Sequence, residues 1–452
     1  MDINKLLHPK SMAVIGVSDK PGFGRNVAKS SVRSSIADRV YYVNPKRDEL
    51  FDRKCYHSLE ELPETVDLIL LCTPAATVAD YIDKAGQLGI GAAIVFASGF
   101  SEERSEKAQQ MAKDVEAAAK RHDIALCGPN CVGFVSAVEN ICASPKDNGM
   151  LGNGVERGIG VVAQSGYITN GFLLPDSKRL AYVISAGNCT MCSIEDYMLF
   201  LAENEHVNCV AAYIEGIRKP KVLVQALKAA RDRNKPVVVL KAGMTEKGSF
   251  AAQSHTGSMA GDYKTFESIC RKFGVVLTSS LQEFSTTARM FSVLDGNFPK
   301  CSGIGAINFS GGENTLCADT CDRLGLELPP YSEQTRDAIK KLLPSYSTAS
   351  NPLDATTTMF SEKEKVRALF EAVSEDPSYG LIVLGNDVGV KSENKDITCA
   401  EIMPQLKQEG RLLPSVVIPS TEQPRNPEIL ETFEKAGIPV LSTGLFAYMA
   451  VR

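Results

Sequence analysis

Short apolar runs ending at small or turn-forming residues alternate with helical periodicity along the whole chain. This pattern predicts parallel sheets built from βαβ units. In the first third the expected strands are Met12–Gly16, Val40–Val43, Leu68–Cys72, Ala92–Ala97 and Ile124–Leu126. Helical spacing is clearest over Ser101–Arg121, where charges interleave with Ala and Met. A second set runs through Ile159–Ala163, Ala181–Ile184, Cys209–Ile214, Val237–Lys241 and Val275–Leu277. A third comprises Gly303–Asn308, Leu381–Gly385, Ser415–Ile418 and Ile438–Leu441. The loop-rich stretches Ser144–Gly158 and Leu294–Ser302 are the expected joints, which divides the chain into 1–143, 144–295 and 296–452. The expected architecture is α/β, with three doubly wound units in series. Ligands in such folds bind beyond the carboxyl ends of the strands, so chemistry should follow these runs.

A chain of 452 residues exceeds one ordinary core, in keeping with that division. With 44% hydrophobic and 23% charged residues it reads as globular, not disordered. A net charge of −5 invites neither nucleic acid nor an anionic membrane surface. No apolar run approaches the ~20 residues of a membrane span, and Met1–Lys10 lacks a signal-peptide core. The thirteen cysteines are scattered, many inside apolar runs such as Leu70-Leu71-Cys72. That usage fits a reducing compartment, and the expected location is cytoplasmic. Cys189 and Cys192 have CxxC spacing, but no second CxxC or His pair stands at zinc-site spacing, so no metal is expected.

The first unit carries the marks of a nucleotide site. Val14-Ile15-Gly16-Val17-Ser18 runs into Pro21-Gly22-Phe23-Gly24 and a helical stretch. Glycines there let backbone approach a pyrophosphate, and the helix start offers unpaired N–H groups. A tight βα turn without a ligand has the same look. The second strand discriminates further. A dinucleotide fold ends it with Asp or Glu for the ribose hydroxyls, whereas here it ends Asn44-Pro45-Lys46. Lys46 would attract a ribose phosphate, which favours CoA over NAD and leaves NADP compatible. Thr73-Pro74, Ser98-Gly99 and Gly128-Pro129-Asn130 complete a rim of small residues suited to a slender pantetheine arm.

Of five histidines, His8, His57, His122 and His206 lie among charged or loop residues and read as solvated. His255 differs, in a small, polar, glycine-bearing loop, Gln253–Gly261. An ordinary loop histidine remains the plain alternative. A nucleophilic histidine needs a carboxylate to fix its tautomer, and Glu215, at the end of an apolar strand, is the candidate. Two strand–glycine–helix transitions, Gln164-Ser165-Gly166 and Ser310-Gly311-Gly312, offer anion sites.

These residues strongly resemble the succinyl-CoA synthetase superfamily, in particular the α subunit of ADP-forming acetyl-CoA synthetases. The resemblance rests on Val14-Ile15-Gly16, Val43-Asn44-Pro45-Lys46, Gly128-Pro129-Asn130-Cys131-Val132-Gly133, Gln164-Ser165-Gly166, Gly187-Asn188, Tyr213-Ile214-Glu215-Gly216, Ser254-His255-Thr256-Gly257, Gly311-Gly312 and Asn351-Pro352-Leu353-Asp354. It implies a Rossmann-like CoA-binding domain followed by two flavodoxin-like domains, the first holding a phosphohistidine loop. It also implies the reaction acyl-CoA + phosphate + ADP ⇌ carboxylic acid + CoA + ATP. In that reading Gly16, Ser18, Pro21, Lys46, Thr73, Pro74, Ser98, Gly128 and Asn130 bind CoA. Gln164, Ser165, Gly166, Gly187 and Asn188 hold phosphate or the acyl group, and Gly311 and Gly312 cap the phosphohistidine. His255 carries the phosphoryl group and Glu215 orients it. The family's ATP-grasp module has no counterpart among the three units, so a separate β chain is expected to supply ATP and Mg²⁺ in a hetero-oligomer. Cys189-Thr190-Met191-Cys192 and Glu313-Asn314 depart from the family's usual residues, which leaves the carboxylic acid substrate open. The competing readings are an NADP-dependent oxidoreductase, a CoA-binding sensor without turnover, and an ATP-independent acyl- or carbamoyl-phosphate transferase.

Overall fold

The computed structural model describes residues 2–103, 105–173, 177–248, 263–388, 397–421 and 424–452. They divide into two compact units, Met1–Leu281 and Gln282–Arg452. The first unit holds two sheets. In the first are β1 (Met12–Ile15), β2 (Val40–Val43), β3 (Glu49–Leu50), β4 (Arg53–Tyr56), β5 (Leu68–Leu71), β6 (Ala92–Val95) and β7 (Ala125–Cys127), ordered β3-β4-β2-β1-β5-β6-β7. All its pairings are parallel except β3 with β4. Leaving β3 aside, this is the Rossmann order, with its switch point between β1 and β5. Continuous apolar runs suit it because both faces are covered. Met12, Val14, Leu68 and Leu70 enter one core, and Ala13, Ile15, Ile69 and Leu71 enter the other.

The second sheet contains β8 (Gly133–Ser136), β9 (Ile141–Ala143), β10 (Gly158–Ala163), β11 (Leu180–Ser185), β12 (Val207–Ile214), β13 (Val237–Lys241) and β14 (Val276–Thr278), ordered β14-β13-β12-β10-β11-β8-β9. Its five parallel strands have flavodoxin-like order, with the switch point between β10 and β12. The hairpin β8–β9, unforeseen in the sequence, extends this sheet antiparallel to β11. Segment 133–143 therefore leaves the first sheet and completes the second.

The second unit carries β15 (Ile304–Asn308), β16 (Leu353–Asp354), β17 (Leu381–Gly385) and β18 (Ser415–Ile418), ordered β16-β15-β17-β18 and parallel throughout. The run Ile438–Leu441, expected as a strand, makes only a bridge from Val440 to Val417. Pro439 lacks the N–H that a longer ladder requires. The helix Leu281–Leu294 contributes Met290 and Leu294 to the core beside Ile304 and Ala306. Among the described residues no helix is long and apolar enough to cross a membrane.

Candidate functional site

Of the residues singled out in the first sheet, Gly16 and Thr73 stand at its switch point, and the others follow the same or neighbouring strands at its carboxyl edge. Gly16 follows β1 with φ +83°, and a Cβ there would stand 3.0 Å from the Cys72 carbonyl oxygen and 3.1 Å from the Thr73 methyl. Gly24, in the helix Phe23–Ser31, is packed still closer: its Cβ would fall 2.2 Å from the Gly16 carbonyl oxygen. The helix start can thus lie against the β1 turn only because both residues are glycine. Thr73 Oγ1 is buried there without a hydrogen-bond partner, a polar atom suited to a ligand. Asn44 shapes the β2 end, donating to the Val17 carbonyl (2.7 Å) and accepting from Lys46 N–H (2.8 Å). Lys46, Pro21 and Pro74 are exposed around this edge, as is Ser98, while Ser18 is partly buried and accepts from Lys20 N–H at 3.1 Å.

The loop after β7 meets the second sheet. Asn188 N–H donates to the Pro129 carbonyl (2.9 Å) and Thr190 N–H to the Gly128 carbonyl (3.1 Å). Asn130 Nδ2 reaches Asn188 Oδ1 at 3.5 Å. At Gly187 (φ +57°) a Cβ would stand 2.3 Å from the Pro129 carbonyl oxygen, so the approach excludes any side chain. Glu102 adds a clamp that the sequence reading missed. Its two carboxylate oxygens accept from Gly99 N–H and from Asn188 Nδ2, each at 2.6 Å. The carboxyl edges of the first two sheets are therefore joined through Gly128–Asn130 and Gly187–Thr190.

At the second switch point Gln164 serves the protein itself. Its Oε1 accepts from Glu215 N–H (2.6 Å) and Gly216 N–H (3.0 Å), and its Nε2 faces Cys189 Sγ at 3.7 Å. Ser165 and Gly166 open the helix Gly166–Leu173, and a Gly166 Cβ would touch Val132 at 3.2 Å. Glu215 is buried at the end of β12. Burial, then its charge and hydrogen bond, push the Tyr213 phenol up to about 12. Burial lowers the Lys241 ammonium while Glu215 opposes that shift, and Lys241 Nζ donates to the Glu215 carbonyl at 2.9 Å. Glu195, fully buried, accepts from Arg218 N–H (2.6 Å) and Lys219 N–H (3.0 Å), so it holds the turn after Glu215. Glu195 stands with Asp196 in the first turn of the otherwise largely apolar helix Ile194–Glu203, and nothing in the sequence distinguished the buried acid from its neighbour. His255 lies outside the described residues.

Gly311 and Gly312 belong to the second unit, exposed at the start of the helix Gly311–Leu324 beyond β15. Their setting is acidic. Asp354 Oδ2 comes within 3.1 Å of a Gly311 Cβ position. Burial raises the Glu313 carboxyl, Asp387 and Asp354 add to the rise, and the Ser420 hydroxyl donates to it. Two histidines expected to be solvated are half-buried or better and face carboxylates, His8 with Glu139 and His122 with Asp83. Cys189 is buried and pushed up to about 12 by burial, as Cys192 is pushed higher still. Among the described residues no group of three or more His, Cys, Asp or Glu could hold a metal ion.

Residues 10–137 match the CoA binding domain, and residues 156–291 match the succinyl-CoA ligase like flavodoxin domain. Together these cover more than half of the chain, in the order of the two joined sheets. The chain carries a CoA binding domain and a succinyl-CoA ligase like flavodoxin domain. It is 32% identical, over 84% of its length, to a trans-feruloyl-CoA synthase from an unidentified prokaryote. It is 29% identical to the α subunit of ADP-forming acetate–CoA ligase II from Pyrococcus furiosus, covering 84% of this chain and 81% of that one. It spans about half the length of several curated relatives, 54% in the case of the feruloyl-CoA synthase. The fold is that of acetyl-coenzyme A synthetase 1 from Candidatus Korarchaeum cryptofilum, solved with phosphate and ADP. The two superpose with a TM-score of 0.84 over 100% of this chain and 96% of that one, at 24% identity.

Proposed function

We propose that this chain is the CoA-binding, phosphohistidine-bearing part of an ADP-forming acyl-CoA synthetase. The overall reaction is acyl-CoA + phosphate + ADP ⇌ carboxylic acid + CoA + ATP. The observation that carries this reading is the junction of the first two sheets, where Gly128–Asn130 docks on Gly187–Thr190. It supports a thioester presented from a CoA site on one sheet to a phosphate site on the other. In this reading CoA lies along Gly16, Ser18, Pro21, Thr73, Pro74, Ser98, Gly128 and Asn130, with its ribose phosphate against Lys46. Thr73 Oγ1 supplies a hydrogen bond otherwise unmade.

Phosphate is assigned to Ser165 and Gly166, at a helix start that favours anions. A phosphate oxygen attacks the thioester carbonyl, the C–S bond breaks, and CoA leaves as a thiolate that takes up a proton. The acyl phosphate then yields its phosphoryl group to an imidazole nitrogen of His255 as the P–O bond to the departing carboxylate breaks. Glu215 is assigned to hold the imidazole tautomer and to offset the positive charge of the phosphoimidazole. Gln164, Gly187 and Asn188 hold the walls in place. Gly311 and Gly312 offer backbone donors for a phosphoryl group, but the neighbouring carboxylates Glu313, Asp354 and Asp387 oppose an anion there. ATP, ADP and Mg²⁺ are assigned to an ATP-grasp module on a partner subunit. The α-subunit relatives fit that arrangement. The division at 1–143, 144–295 and 296–452 stays with this proposal, as CoA, phosphohistidine and ligase segments in turn.

Titration of the protein with CoA, 3′-dephospho-CoA and NADPH tests the first assignment. CoA binds tightest and NADPH does not bind, while Lys46→Ala removes the difference between CoA and its dephospho form. Preference for NADPH would return the first sheet to the oxidoreductase reading.

A further inference from the structure

A cavity of about 60 Å³ borders the first turn of the helix Gly166–Leu173. Its lining includes Val135 and Val183, which face each other directly across the β8–β11 ladder. Val132, Thr169 and Ser185 are also in the wall, and the exposed Lys146 stands at the rim. Two of the wall's hydroxyls are already engaged. Thr169 Oγ1 donates to the Gly166 carbonyl at 2.7 Å, and Ser185 Oγ accepts from Val132 N–H at 3.1 Å. Ser144, Pro145 and Asn148 complete the wall on its loop side, and the surface offered to a guest is mainly apolar.

We infer that this cavity receives the acyl group of the thioester and restricts it to a short aliphatic chain. The inference rests on the activity proposed above. Its position follows from two neighbours: Val132 directly continues the Gly128–Cys131 loop, and a Cβ at Gly166 would stand 3.2 Å from Val132 and 3.6 Å from Ser185 Oγ. A thioester carbonyl held between that loop and the helix start directs its alkyl tail into the cavity. Since a cavity of about 150 Å³ holds a benzene molecule, one of this size takes roughly two to three non-hydrogen atoms. Beyond the carbonyl, that admits acyl groups up to about four carbons and excludes an arylacyl group.

The test uses the full chain with arsenate in place of phosphate. Attack by arsenate releases CoA and forms an acyl arsenate that water hydrolyses, so turnover needs neither ADP nor a partner subunit. CoA release is followed with acetyl-, propionyl-, butyryl-, hexanoyl- and benzoyl-CoA, on wild type, Val183→Ile and Val135→Ala. Wild type accepts the first three and disfavours the last two at least tenfold. Adding a methylene in Val183→Ile lowers the butyryl-to-acetyl ratio of kcat/KM by about tenfold or more, and Val135→Ala raises the hexanoyl-to-acetyl ratio by a similar factor. A general loss of stability lowers all acyl-CoAs alike and leaves these ratios unchanged, so either folded variant decides. Turnover with ratios unmoved by both variants overturns the cavity assignment and leaves the activity standing. No CoA release from any acyl-CoA overturns the activity, and the cavity assignment with it.

Discussion

At the scale of single residues, close approach and burial make the sharpest demands. Gly24→Ala forces a Cβ to within 2.2 Å of the Gly16 carbonyl oxygen, so the helix must withdraw from the β1 turn. Urea denaturation is expected to show a loss of about 1–3 kcal/mol, with CoA affinity falling at least tenfold in titration. The glycines of this turn were legible in the sequence as a motif. Which of them was sterically obligatory was not, because that depends on what packs above it. Lys235 poses a different demand. It is 7% exposed, and burial lowers its ammonium from 10.5 to about 8. Between those values the unfolded chain binds more protons than the folded one, so this residue makes stability rise with pH across that window. The full rise is on the order of 3 kcal/mol. The stability difference between Lys235→Met and wild type should therefore be largest below pH 8 in the variant's favour and shrink toward pH 10.5. A difference that does not vary with pH contradicts the assignment.

At the scale of elements, one turn is held from two sides. Gln164 accepts the N–H groups of Glu215 and Gly216, and Glu195 accepts those of Arg218 and Lys219. Replacing either by Ala strands buried donors, at about 1–3 kcal/mol for each group left unmade. Because both clamp the same backbone, their effects should couple, with a double-mutant-cycle term above about 0.5 kcal/mol. Additive losses would mean that the turn is not a single rigid piece. The sequence reading assigned Gln164 to phosphate, since a glutamine after a strand and before Ser-Gly invites it. The carboxamide's partners are decided by the neighbouring β12 end, which periodicity does not reveal. Apart from Ile438–Leu441, the expected strand runs match observed strands to within two residues, because buried parallel strands are apolar on both faces, whereas the short β3, β4 and β16 were not foreseen. The hairpin β8–β9 escaped because strands of four and three residues carry too little periodicity, and the sheet they join is a tertiary choice.

At the scale of the whole molecule, the alternation of apolar runs and helical stretches was enough for three doubly wound units in series. The second compact unit begins at Gln282, and the helix Leu281–Leu294 packs Met290 and Leu294 beside Ile304 and Ala306. A fragment comprising 282–452 is therefore expected to unfold cooperatively in denaturant, whereas 296–452, lacking Met290 and Leu294, should melt lower or fail to fold. Equal stability of the two fragments would remove that helix from the core.

The most direct measurement of the proposed activity supplies labelled phosphate with a short-chain acyl-CoA and follows label on the protein. The account predicts acid-labile, base-stable label that depends on the acyl-CoA and disappears in His255→Ala. Label that persists in His255→Ala, or no label with any acyl-CoA, contradicts it.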